Sequence, residues 1–217
     1  MPRLTQQQDE ARVRELFDFD KKMSFELTGK YNAVILGIDE VGRGPVAGPL
    51  AAGGVVWEEP IYIPYLNDSK KITEKRRPQV ANNIERKAKF SCVEFVSASE
   101  IDELGIIPSL KKAFRTVISS CEHAGIFPDI ILIDGNEIDV DARVKTVVKG
   151  DAKSASIAAA SVVAKARRDN LMRSFAAEHP EFGWESNKGY GTKAHLDAIE
   201  RFGMNEQHRK SFLKKFT

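Results

Sequence analysis

The chain has 217 residues, 42% hydrophobic and 29% charged, enough for a core beneath a solvated surface, which excludes wholesale disorder. Lysine and arginine total 33 against 31 aspartates and glutamates, so the net charge of +2 does not by itself argue for a nucleic-acid partner; what counts is where the charges gather. The two isolated cysteines, Cys92 and Cys121, exclude a disulfide scaffold and a zinc-like spacing.

No apolar run approaches the ~20 residues of a membrane-spanning helix. The polar start, MPRLTQQQDEAR, has no apolar signal region, so a cytoplasmic protein is expected. Residues 5–28 read as a helix with Val13, Leu16, Phe17 and Phe19 in an apolar stripe, and 1–32 as a lead-in packed on the main body. Ala33 to Ile38 is a short continuous apolar run, hence a buried strand. The turn Gly42-Arg43-Gly44-Pro45 leads to a second strand through Val55, Val56 and Trp57, making a hairpin. Residues 74–89 read as mostly helical, with Pro78 marking either a first-turn position or a break, and Phe90 to Val96 as a third strand.

Helical patterns follow at 99–104 and 108–124, then buried strands at 130–133 and 144–148. A long helix over 153–178 opens with small residues, Ala158-Ala159-Ala160-Ser161, that permit close packing on a sheet. A glycine-rich loop at 182–192 and two helices close the chain. The expected fold is α/β: a mixed five-stranded sheet flanked by helices over 33–180, with a helical C-terminal portion over 181–217.

Acidic residues stand where the strands run out: Asp39 and Glu40 after the first, Asp134 after the fourth, Asp151 after the fifth. Taken singly, each is an ordinary turn former or helix cap. Together, beside buried apolar strands, converging carboxylates require a compensating cation, and hard oxygen donors suit Mg²⁺ or Mn²⁺. Neighbouring residues of a regular strand point to opposite faces. Either the strand ends at Asp39, or Glu40 contributes through its main-chain oxygen; Asp39 therefore ranks above Glu40 as a side-chain ligand. Asp169, 18 residues beyond Asp151, is too distant for the same centre and is expected to pair with an arginine. His123, His179, His195 and His208 have no ligand spacing and read as structural.

Six segments then carry a specific resemblance. GIDEVGRGPVAGPL at 37–50, LNDSKKI at 66–72, LIDGN at 132–136, VVKGDAKSASIAAASVVAKARRD at 147–169, NKGYGT at 187–192 and HRKSF at 208–212 resemble, in order, the ribonuclease HII family. The likeness runs from about Met23 to the end of the chain. It implies a ribonuclease H-like fold and an endonuclease that hydrolyses RNA paired with DNA. It also implies incision on the 5′ side of single ribonucleotides embedded in duplex DNA, leaving 3′-hydroxyl and 5′-phosphate ends.

The resemblance carries a four-carboxylate site onto Asp39, Glu40, Asp134 and Asp151, with two divalent ions, and ribose reading onto Gly42, Arg43, Gly44 and Tyr190. Lys70, Lys71, Lys149 and Lys188 are candidate phosphate contacts. Three rivals read the same residues differently: a ribonuclease HIII-like nuclease with an added N-terminal domain, a non-catalytic hybrid-binding module, and a DNA-junction nuclease. The intact acidic set, the short lead-in and the GRG turn with Tyr190 speak against them. A monomer without membrane attachment is expected. The C-terminal SFLKKF reads equally as a replication-clamp contact or as a basic helix end.

Overall fold

In a computed structural model that describes residues 5–214, the first apolar run forms the strand Ile35–Val41 (β1), extending past Ile38 through the acidic pair. Leu50–Val56 (β2) pairs with it antiparallel and Ile130–Asp134 (β4) pairs with it parallel. Phe90–Val96 (β3) lies antiparallel outside β2, and Val144–Val147 (β5) lies parallel outside β4, giving the order β3-β2-β1-β4-β5. The sheet is mixed and five-stranded, as the sequence led us to expect.

Helices cover both faces. Gln6–Thr28 (α1), Arg77–Lys87 (α2) and the long Ala155–Glu178 (α5) lie on one, Ala98–Leu104 (α3) and Ile106–His123 (α4) on the other. α4 presents Leu110, Ala113, Phe114, Val117 and Cys121, spaced three or four apart, to Leu36, Ile38, Ala52 and Ile131. Each large aliphatic side chain buried there contributes about 1.5–3 kcal/mol.

The opposite face works by smallness. Ala155 to Ala164 of α5 is buried throughout, because α1 and α2 cover its outer side. The strands beneath carry glycine at the closest points: a Cβ on Gly37 would lie 2.2 Å from the Ser156 carbonyl carbon, and one on Gly53 would lie 2.4 Å from the Ala160 oxygen. α1 is fastened to this layer by two buried carboxylates. Asp9 accepts from the Tyr62 hydroxyl and the Tyr65 amide, and Asp20 accepts from the Ser156 amide at 2.9 Å and hydroxyl at 2.8 Å. Asp20 thereby satisfies a donor at the start of α5.

Past α5 the chain forms Trp184–Asn187 (α6), Lys193–Phe202 (α7) and Lys210–Leu213 (α8). The loop expected at 182–192 thus contains a short helix. Around it Ala47, Met172, Phe182, Trp184 and Ala198 form a small apolar cluster. Among the described residues no helix is long and apolar enough to cross a membrane.

Candidate active site

The regular course of β1 decides which side chains can meet. Alternation places Gly37 and Asp39 on the face covered by α5, and Leu36, Ile38 and Glu40 on the face covered by α4. Glu40 therefore does not join Asp39 by side chain. Its carboxylate instead pairs with Arg43 at 3.2 Å, while its amide donates to Asp39 Oδ1 at 2.7 Å. The strand does not end at Asp39, and the Glu40 carboxylate is not among the three that converge, while its main chain adjoins Asp39.

Asp134 closes β4, one step beyond the Ile38–Ile133 register pair, and so stands beside Asp39 on the same face. Asp151 arrives from the other side, in a single 3-10 turn at Gly150–Ala152 that precedes α5 rather than belonging to it. The Gly150 amide donates to Asp134 Oδ1 at 2.5 Å, fastening that turn to the end of β4. A side chain at 150 would strike Ile157 at 2.6 Å, so glycine is what lets the turn approach.

As a result Asp39, Asp134 and Asp151 each offer a carboxylate oxygen within 4.8 Å of the others. Burial pushes Asp39 well above the usual carboxylate range, the Glu40 and Asp134 charges add to this, and the Ser161 hydroxyl and Glu40 amide oppose it. Asp151 is raised by burial and by the nearby Asp68 and Asp134 carboxylates, against Lys70. The Lys70 ammonium stands 3.7 Å from Asp151 on an otherwise exposed side chain. One lysine does not balance converging buried carboxylates, and all-oxygen donors in this arrangement fit a hard divalent cation.

The 42–44 turn follows directly on the end of β1. Its two glycines do different work. Gly42 has φ +96° and its α-carbon rests on the Arg168 side chain, where a Cβ would meet Nε at 2.4 Å. Gly44 is open, its nearest neighbour being the Tyr190 ring at 3.8 Å. Only Gly44 leaves room for a ligand to approach the main chain; Gly42 is required by its packing on Arg168. Arg43 and Tyr190 are exposed.

Lys70, Lys71 and Lys149 are exposed, Lys70 reaching Asp151 and Lys149 preceding the turn that carries it. Lys188 departs from the expectation. It is buried, with its ammonium 2.9 Å from Glu74 and bonded to the Glu185 carbonyl, so it braces the loop rather than facing solvent.

Asp169 bonds Arg77 at 2.9 Å and Lys165 at 2.6 Å, away from the cluster; the arginine partner comes from α2. His195 and His208 are buried against Trp184, whose indole donates to His195 Nε2 at 2.9 Å, and His195 Nδ1 bonds the Tyr190 carbonyl at 2.9 Å. They support the Tyr190 loop. In the C-terminal segment Leu213 is buried and Phe212 lies under the Arg209 guanidinium, while Lys215 and Phe216 lie outside the described residues. Sequence reasoning missed Asp68, which adds a carboxylate beside Asp151, and the buried pair Arg168 and Arg209. Asp68 sits in the LNDSKKI segment, whose place in the resemblance is the one signal that could have found it; nothing in a linear reading marks an arginine as buried.

A family model described as Ribonuclease HII matches residues 36–215. The Ribonuclease HII of Clostridium beijerinckii is 43% identical over 209 residues, which cover 94% of this chain and 74% of that protein. In three dimensions the chain is similar to ribonuclease H2 from Pyrococcus horikoshii OT3, with TM-score 0.70 and 26% identity over 82% of this chain and 93% of that one. It is also similar to a chain of the PCNA:RNase HII complex from Archaeoglobus fulgidus, with TM-score 0.69 and 26% identity over 81% and 93% of the two chains.

Proposed function

The chain belongs to the ribonuclease HII family and is a ribonuclease H with the ribonuclease H-like fold, and from that premise we propose that it cuts the RNA strand of RNA–DNA hybrids and incises 5′ of single ribonucleotides in duplex DNA. The observation that carries this reading is the convergence of Asp39, Asp134 and Asp151 on one another. Asp39, Asp134 and Asp151 would hold divalent ions, with Glu40 contributing through its main chain. Two such ions, Mg²⁺ or Mn²⁺, supply Lewis-acid charge for phosphodiester hydrolysis.

The protein's own groups do the rest. The converging carboxylates fix where the scissile phosphate lies, and the Glu40 and Gly150 amides keep Asp39 and Asp134 in place. Lys70, Lys71 and Lys149 contact phosphates and set the duplex register without reading bases. RNA is distinguished from DNA by its 2′-hydroxyl, reached from the wide minor groove of an A-like duplex. The exposed amides of the 42–44 turn are suited to bond that hydroxyl, and the Tyr190 ring beside Gly44 to pack on the adjoining sugar. Residues 181–214 act in this reading as part of the substrate face.

The test is a DNA duplex carrying one ribonucleotide, incubated with Mg²⁺, with Mn²⁺, and with chelator. Incision on the 5′ side of the ribonucleotide with either ion, none with chelator, and an untouched all-DNA control are expected. An intact substrate in both ions, or a cut on the 3′ side, would overturn the proposal.

A further inference from the structure

Two arginines, Arg168 on α5 and Arg209 just before α8, are wholly buried. A buried cation ordinarily faces a carboxylate. Neither does here: the adjacent Asp169 is engaged with Arg77 and Lys165, and Asp102 bonds the Lys210 and Ser211 amides. Both guanidiniums instead bond main-chain oxygens. Arg168 donates to the carbonyls of Pro49 at 2.9 Å, Lys188 at 3.0 Å and Ala47 at 3.4 Å. Arg209 donates to those of Gly48 at 2.9 Å, Arg43 at 3.1 Å and Gly42 at 2.7 Å. Burial first, then repulsion from Arg168, pushes Arg209 down to about 9, so the arrangement is held against an electrostatic penalty.

The consequence follows from peptide geometry. In a planar trans peptide the carbonyl of one residue and the amide of the next point in opposite directions. Pinning the Gly42 oxygen inward turns the Arg43 amide outward, and pinning the Arg43 oxygen inward turns the Gly44 amide outward. Among the described residues, neither of these amides meets a main-chain acceptor. The next amides, by contrast, are bound: Val46 and Ala47 to the Gly189 carbonyl, and Gly48 to the Gln207 carbonyl.

We propose that Arg209 is the positioning residue of ribose recognition, its guanidinium fork aiming the Arg43 and Gly44 amides at the substrate, with Arg168 bracing the rest of the turn from below. This rests on the reading of the 42–44 turn given above. It explains why arginine is used: a lysine ammonium carries the same charge but has no rigid fork to hold neighbouring carbonyls in fixed directions.

The test is equilibrium binding, in chelator so that nothing is cut, to a DNA duplex carrying one ribonucleotide and to its all-DNA twin. Arg209→Lys is expected to shrink the preference for the ribonucleotide duplex by about three- to tenfold, the worth of one net hydrogen bond, with all-DNA affinity unchanged. A purely structural role, or a simple phosphate contact, would lower both affinities together, and that result overturns the proposal. A wild type with a preference that Arg209→Lys retains in full also overturns it. A wild type that binds both duplexes alike overturns the reading of the turn as well.

Should Arg209→Lys fail to fold, amide hydrogen exchange of the wild type decides. Val46, Ala47 and Gly48 should exchange slowly in the free protein. Arg43 and Gly44 should exchange fast and become protected by the ribonucleotide duplex alone. Protection of Arg43 and Gly44 in the free protein, or equal protection by all-DNA duplex, overturns the proposal.

Discussion

Replacing Gly37 with alanine adds one methyl group at the tightest point between β1 and α5. The new carbon would lie 2.2 Å from the Ser156 carbonyl carbon and 2.5 Å from the Ile157 amide nitrogen, both backbone atoms that cannot swing aside. Ordinary contact begins at 3.4 Å, so the start of α5 has to retreat by about 1.2 Å, the difference between 3.4 and 2.2. Overpacking of this kind costs about 1–3 kcal/mol. In a chain of this size that lowers the melting temperature by roughly 2–10 °C.

The retreat also reaches the carboxylates, because the turn that carries Asp151 leads directly into α5 and Gly37 lies two residues before Asp39 on the same face of β1. Displacing reacting groups by ~1 Å costs about a hundredfold in rate. The assay is single-turnover cleavage of a ribonucleotide-bearing duplex, run beside a melting curve. Gly125→Ala serves as the comparison: φ there is +79° with nothing within 4 Å, so it should lose stability through strain while cutting normally. Wild-type cleavage by a folded Gly37→Ala protein would refute the idea that the sheet-to-helix spacing sets the site.

Asp39→Asn or Asp134→Asn should reduce cleavage by at least about a hundredfold while hybrid binding persists; cutting at the wild-type rate in Mg²⁺ or Mn²⁺ would remove these residues from the centre. Tyr190→Ala should slow cutting at a lone ribonucleotide more than within a long hybrid, and equal losses would deny the ring a role at junctions. Asp169→Asn leaves Arg77 buried without its partner and should destabilise by about 3–5 kcal/mol in urea unfolding, with cleavage by the folded fraction intact.

Burial pushes His208 down to about 4, with His195 adding to the effect, against about 6.5 in an unfolded chain. Between those values the unfolded state holds a proton that the folded state lacks. The His208 contribution to stability is therefore complete above pH ~6.5 and is lost as pH falls toward 4. Asp20, raised by burial to about 6, acts in the opposite sense as pH falls through that window, so the comparison must be made against His208→Gln. From about pH 7 to about pH 5 the wild type should lose about 2 kcal/mol more than the variant, and parallel curves would refute this.

Much of this was legible in the residues because it depends on local pattern. The apolar runs of β1 and β4 ended in acids, the small-residue stretch of α5 announced a close approach, and Pro78 entered its helix in the first turn. The carboxylates could be nominated one by one because each adjoins a buried strand. What linear reading could not supply was direction. Whether Glu40 shares a face with Asp39 depends on where β1 stops being regular, and tertiary pairing with β2 carries it to Val41. Lys188 looked like its neighbours until folding placed Glu74 against it. Arg168 and Arg209 escape a linear reading because their acceptors are backbone oxygens, all but one of them more than a hundred residues distant, which no side-chain chemistry advertises.

The strand that bears Asp39 has a hydrogen-bonded partner along each flank, whereas the turn that bears Asp151 follows β5, a rim strand of four residues with one neighbour, and is fastened to β4 through the Gly150 amide. Breathing in a folded protein starts at such margins and reaches the interior only on complete unfolding. The two sides of the centre thus sit on different rungs of a stability ladder. On warming, Asp151 is expected to lose its place before Asp39, so cleavage should fall some degrees below the melting temperature and return on cooling.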